Sequence, residues 1–149
     1  TYFKLKAHDE GEAHRYALAY VALVLFAVPF FLLFPVRIPG LYLLEVRPLM
    51  LDLSPVIAAG VTATDTLVKA FPSLHTGLSV LAALYARNVG GKYARTIGVL
   101  AFIIVLSTLY LGIHWLTDAV FAVLLVVPAY YLSRRVDPDR VVGFASRGQ

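Results

Sequence analysis

"YALAYVALVLFAVPFFLLFPV", residues 16–36, is a run of 21 residues without a charge. Crossing the hydrocarbon core of a bilayer takes about 20 mostly apolar residues in a helix, within a range of about 17–25. Three later runs meet the same condition. Residues 70–86 contain no Asp, Glu, Lys or Arg and one imidazole, His75. Residues 96–113 carry no charge, and residues 115–133 carry one, Asp118. None of the runs alternates apolar and polar residues as a barrel strand would. In hydrocarbon only helices and closed barrels satisfy their backbone groups, so the expected fold is an all-α, polytopic membrane helix bundle with four transmembrane helices. Pro29 and Pro128 are expected to kink theirs locally.

Composition agrees with lipid as the solvent. The chain has 149 residues, 60% of them hydrophobic and 15% charged. Soluble domains are closer to 45–50% apolar and about 25% charged. The length suits one membrane domain, residues 1–149. With no Cys, disulfides and thiolate metal sites are excluded. The net charge of +4 does not indicate nucleic acid, because the basic residues flank apolar runs instead of forming one patch. The start at Thr1, without a signal-peptide layout, suggests a part of a longer protein.

Charge also orients the bundle. Four crossings put residues 1–15, the turn at 87–95 and the tail at 134–149 on one side. That side holds ten of the thirteen Lys and Arg residues. The loop at 37–69 is on the other side with Arg37, Arg47 and Lys69. The positive-inside rule makes the first side cytoplasmic and the loop at 37–69 extracytoplasmic.

Two polar stretches fall at the outer end. "FPSLHTG", residues 71–77, places Ser73 and His75 at the mouth of the second run. "STLYLGIHWLTDAV", residues 107–120, joins the third run to the fourth and carries Ser107, His114 and Asp118. On one helix His114 and Asp118 would share a face at i, i+4, with Ser107 two turns earlier on roughly the same stripe. Ionisable groups at such depth are costly and face a cavity or a partner. An imidazole whose second N–H is held by a carboxylate is a good nucleophile, and a second imidazole can protonate a leaving oxygen. Asp118, His114 and His75 fit those three roles around one electrophile. Phosphorus in a phosphate ester suits attack by histidine, with cations and backbone amides offsetting its charge.

These motifs resemble the type 2 phosphatidic acid phosphatase superfamily, which includes lipid phosphate phosphatases and vanadium haloperoxidases. Its second motif, Pro-Ser-Gly-His, is matched by Pro72-Ser73-Leu74-His75. Its third, Ser-Arg, five residues, His, three residues, Asp, is matched in spacing by Ser107-Thr108, His114 and Asp118. The resemblance implies that His114 is the nucleophile, Asp118 its orienting group, His75 the acid for the leaving group and Ser73 a phosphate ligand. It also implies a six-helix core, with two helices earlier than those seen here. The pattern departs at three positions. Leu74 replaces Gly, Thr108 replaces a phosphate-binding Arg, and of the first motif, Lys, six residues, Arg-Pro, only Arg47-Pro48 is present, with Gly40 at the Lys position. Leu74 and Thr108 resemble the inositol phosphorylceramide synthase-like branch, with sphingomyelin synthases more distant. Those enzymes transfer a phospho-headgroup between lipids.

The expected function is therefore cleavage or transfer of a phosphate or phospho-headgroup on a lipid through a phosphohistidine. No metal and no cofactor are expected, and the partners are a lipid phosphate or phospholipid and the membrane. The alternative is a transporter or scaffold that keeps the fold without the chemistry. Plainer readings attach to the same residues. Ser73 also suits an N-cap, and His114 with Asp118 a structural pair between helices. Arg47 and Lys69 read either as phosphate ligands or as interfacial anchors. Arg37 reads as an anchor that snorkels from the end of its span. Ser107 and Thr108 read as bonded to carbonyls of their own helix. Tyr42, Tyr110 and Trp115 read as interfacial belt residues, and His8 and His14 as solvated.

Overall fold

The computed structural model describes residues 1–43, 55–56, 59 and 70–136. Helix α1 is Tyr2–His8 and helix α2 is Glu10–Leu33. Asp9, in extended conformation between them, accepts the Glu12 amide on Oδ1 at 3.1 Å and starts α2. A short 3₁₀ turn, Pro39–Leu41, follows. Helices α3 (Leu74–Ala86), α4 (Gly91–Tyr110) and α5 (Leu116–Arg135) complete the bundle. No strand occurs among the described residues. Arg47, Lys69, most of the loop at 37–69 and the tail from residue 137 lie outside the described residues.

Three helices, α2, α4 and α5, are long and apolar enough to cross a membrane. The second expected span differs. Its helix, α3, has 13 residues. At 1.5 Å per residue that is about 20 Å, against a hydrocarbon core of about 30 Å. The cause is local: a residue before proline is pushed out of the helical region, so the chain bends at Phe71 and Pro72, and Ser73 caps the helix at Leu74. The third expected span also ends early, at Tyr110. Gly112 adopts φ +65, a turn conformation that glycine takes without a side-chain clash. As a result, residues 111–115 form a turn and the expected helical stripe of Ser107, His114 and Asp118 does not form. Both α2 and α5 stay helical through Pro29 and Pro128.

The helices meet through small residues. Ala19, Ala22, Leu23 and Ala27 of α2 are buried at spacings of three and four, as are Ala119, Ala122, Val126 and Ala129 of α5. Small side chains let backbones approach closely where lipid gives no hydrophobic drive. At Gly77 of α3 a Cβ would lie 3.2 Å from a Leu23 methyl and 3.8 Å from the Ala122 Cβ. Leu5 of α1 is fully buried in the same core, beside Leu81 and Tyr85. The outer surface is apolar instead, with Leu25 and Leu32, Phe102 and Ile103, and Leu124 and Val127 exposed on three helices. Soluble monomers rarely expose so much contiguous apolar surface.

Hydrogen bonds pin the two ends of the bundle and make chain neighbours antiparallel. At one end Ala70 N donates to Val36 O at 3.0 Å, Trp115 Nε1 to Arg37 O at 3.0 Å, and Gly40 N to Gly112 O at 3.1 Å. At the other end Glu12 accepts from Arg15 at 2.7 Å, Arg134 at 2.6 Å and Asn88 at 2.5 Å. The Arg134 guanidinium lies 5.4 and 5.2 Å from the ring centres of Tyr85 and Tyr130. Residues 1–15 are thus built into the bundle: His8 is exposed, but Glu12 is buried. The tight turn between α3 and α4 needs Gly90, which sits at φ +148.

Candidate active site

Ser73 begins the site. Its Oγ accepts the Thr76 amide at 3.3 Å and donates to Thr76 Oγ1 at 3.1 Å, and the residue is 0% exposed. Its hydroxyl is therefore engaged as the N-cap of α3. The amides of Leu74 and His75 at that helix start have no acceptor within the helix, the usual condition of a first turn. They carry the positive end of the helix dipole.

His75 follows in the first turn, with an exposed side chain. His114 lies in the turn before α5 and is 7% exposed. The two rings face each other, with His75 Nδ1 3.4 Å from His114 Nε2. The other nitrogen of His114, Nδ1, lies 2.8 Å from the Ala70 carbonyl oxygen. A carbonyl can only accept, so Nδ1 carries the proton and Nε2 presents its lone pair toward His75.

Asp118, 1% exposed, stands behind this ring. Its Oδ2 accepts the Trp115 amide at 2.8 Å and is 3.7 Å from His114 Nδ1, beyond hydrogen-bond reach. Its own carbonyl accepts the Ser73 amide at 3.2 Å. Asp118 thus ties the starts of α3 and α5 together and sets a buried negative charge beside His114. The residue that holds the His114 tautomer is Ala70, through its main chain. Side-chain patterning carries no signal for a backbone acceptor, so sequence reading missed it.

The structure brings His75, His114, Asp118 and Ser73 to one end of the bundle. Ser107 and Thr108 bond within their own helix, to Ile103 O at 2.7 Å and Val105 O at 2.8 Å. The Thr108 carbonyl accepts the amides of Ile113 and His114, at 3.1 and 3.3 Å, and so shapes the His114 turn. Trp115 donates its indole N–H to the backbone of Arg37, which fixes the segment after α2 against the site. Among the described residues no group of three His, Cys, Asp or Glu side chains is placed to hold a metal ion. A cleft of about 590 Å³ opens between α3, α4 and α5. Thr76 is at its site end, Ala83, Gly98 and Ala101 are along it, and Arg87 is at its far end.

Chemically, the arrangement offers one bare imidazole nitrogen with its proton fixed on the far side. A second imidazole is close enough to exchange a proton with it, and a carboxylate oxygen stands 3.7 Å from its far nitrogen. A comparison with curated proteins gave no match, and neither did one with solved structures. A family model described as PAP2 superfamily matches residues 3–132, from α1 to the last turns of α5. On that match, which takes in every described residue of the site, the chain belongs to the PAP2 superfamily.

Proposed function

We propose that the chain is an integral membrane enzyme that cleaves or transfers a phosphate or phospho-headgroup on a lipid. The carrying observation is the facing pair, His75 Nδ1 and His114 Nε2 at 3.4 Å, with His114 Nδ1 held by Ala70 O at 2.8 Å. In the first step His114 Nε2 attacks phosphorus as the bond to the leaving oxygen breaks. That oxygen takes a proton from His75, which must enter the step protonated. The His114 ring then carries the phosphoryl group, and its positive charge is stabilised by the Asp118 carboxylate 3.7 Å from Nδ1. In the second step His75, now neutral, takes a proton from water or from an acceptor alcohol, whose oxygen displaces His114 from phosphorus. Water gives a phosphatase and an alcohol gives a transferase. Leu74 and Thr108, as departures from the phosphatase motifs, favour transfer. The apolar cleft that starts at Thr76 favours a lipid over a soluble ester.

The active site is read as extracytoplasmic, because ten of the thirteen Lys and Arg residues belong to the opposite side under four crossings. The four-crossing topology is supported by the pinned ends. Ala70 is bonded to Val36 and Asn88 to Glu12, so the chain from 70 to 88 runs between the same two ends as the chain from 12 to 36. The test is to incubate the purified protein with a panel of phospholipids, with and without alcohol acceptors, and to measure free phosphate and new lipid species. Release of either supports the reading. A folded protein that yields neither from any lipid contradicts it. That result would favour the scaffold or transporter reading, for which Thr108 in place of a cation is the supporting observation.

A further inference from the structure

We propose that Arg37 is a phosphate-binding residue of this active site and supplies from the segment after α2 the charge that Thr108 does not. The inference rests on the reading of the site as a phosphoryl-transfer centre. A phosphoryl group in transfer needs positive donors placed where its charge is spread. The site end of the helix before His114 offers none, since Thr108 is 6% exposed and donates its hydroxyl to Val105 O. Gly40 carries no side chain, and its amide is bonded to Gly112 O.

The segment around Arg37 is fixed at the site by three hydrogen bonds. Val36 O receives the Ala70 amide at 3.0 Å, and the Ala70 carbonyl in turn holds His114 Nδ1 at 2.8 Å. Arg37 O receives the indole N–H of Trp115, the residue directly after His114, at 3.0 Å. Gly40 then closes onto Gly112 in the His114 turn at 3.1 Å. The backbone on either side of Arg37 is therefore fixed against the two elements that position the nucleophile. The Arg37 side chain itself is exposed and meets no carboxylate among the described residues. The other described Lys and Arg residues belong to α1, α2 before residue 16, the turn between α3 and α4, the start of α4 and the end of α5. Arg15 and Arg134 bond Glu12 and Lys6 pairs with Glu10 at the opposite end, where Asn88 of the α3–α4 turn also lies, and α1 packs through Leu5 in the core with Leu81 and Tyr85, away from the histidines. Arg37 is thus the one described cation at the histidine end. An anchor would need only a charge near the interface. A ligand uses the planar fork of a guanidinium, which grips two phosphate oxygens at once, where a lysine gives one point of charge.

The test titrates the full chain in detergent, with its histidines isotopically labelled, against inorganic phosphate. The His75 and His114 ring signals are followed in wild type, Arg37→Gln and Arg37→Lys. A second arm repeats the titration with a lipid phosphate monoester in mixed micelles and measures its turnover, so that free phosphate and lipid headgroup are told apart. Thermal unfolding of each variant checks the fold. The expected result is a dissociation constant raised about tenfold or more in Arg37→Gln, with Arg37→Lys in between. In turnover the loss should fall mainly on KM. Dissociation constants within twofold of wild type in both arms would overturn the role of Arg37 while leaving the phosphoryl-transfer reading in place. Wild-type protein that neither responds to phosphate nor turns over any lipid would overturn both, and the two failures differ in whether wild type responds.

Discussion

Replacing Asp118 with Asn separates the job the structure shows for the carboxylate from the one proposed for it. The first is structural: Oδ2 accepts the Trp115 amide at 2.8 Å and caps α5. An Asn oxygen can do the same, so stability should change by less than about 1 kcal/mol. The second is electrostatic. The carboxylate lies 3.7 Å from His114 Nδ1, which at an effective dielectric of about 20 amounts to roughly 4 kcal/mol in favour of the positively charged, phosphorylated ring. Removing it should slow phosphohistidine formation by up to roughly 10³-fold. Where a carboxylate is itself the acceptor that sets the tautomer, the same change costs about 10⁴-fold. Here the Ala70 carbonyl keeps the tautomer, so the loss should be smaller than that. The assay compares single-turnover phosphate release or headgroup transfer on one lipid in one detergent, with thermal unfolding as the check on folding. A folded Asp118→Asn protein with a rate within threefold of wild type would refute the reasoning, and Asp118 would then be a helix cap alone.

Other perturbations test the frame around the site. Glu12→Ala removes the acceptor shared by Arg15, Arg134 and Asn88. Because both arginines are partly exposed, the cost should be about 2 kcal/mol, below the 3–5 typical of a fully buried pair, and a thermal melt unchanged from wild type would show that the cluster is idle. Ser73→Ala should lose about 1 kcal/mol of stability with the cap. An unchanged KM would confirm a cap, and a large rise in KM would make Ser73 a phosphate ligand after all. Gly77→Leu would press on Leu23 and Ala122 and should cost about 1–3 kcal/mol by overpacking, read as a lowered midpoint in detergent; a wild-type midpoint would mean that α2 and α3 are not packed as described.

The helical character and the gathering of His75, His114 and Asp118 at one end were legible in the sequence. Length and absence of charge suffice to mark apolar helices, and the alternating direction of the chain then brings alternate ends together. The boundaries were less legible. The second run looks continuous from Ala70, yet Pro72 and Ser73 move the helix start to Leu74. The third run looks continuous to Ile113, yet Gly112 turns the chain and takes His114 off the helix. The nearness of the Arg37 backbone to the His114 turn was not legible either, because it depends on the Trp115 indole, 78 positions later in the chain. Nor was the burial of Glu12 legible, since it depends on Arg134, 122 positions away. Such partners are properties of the assembled bundle, and no local pattern announces them.

In the proposed reaction a phosphoryl group rests on His114. The direct measurement is to quench the protein in denaturant during turnover of a phosphate-labelled lipid and to map the label by peptide. Acid-labile, base-stable phosphate is expected on the peptide carrying His114 in wild type. In His114→Ala no label and no turnover are expected, with the melting profile of a folded protein retained. Turnover at the wild-type rate in His114→Ala, or label on a different residue, would contradict the proposed reaction.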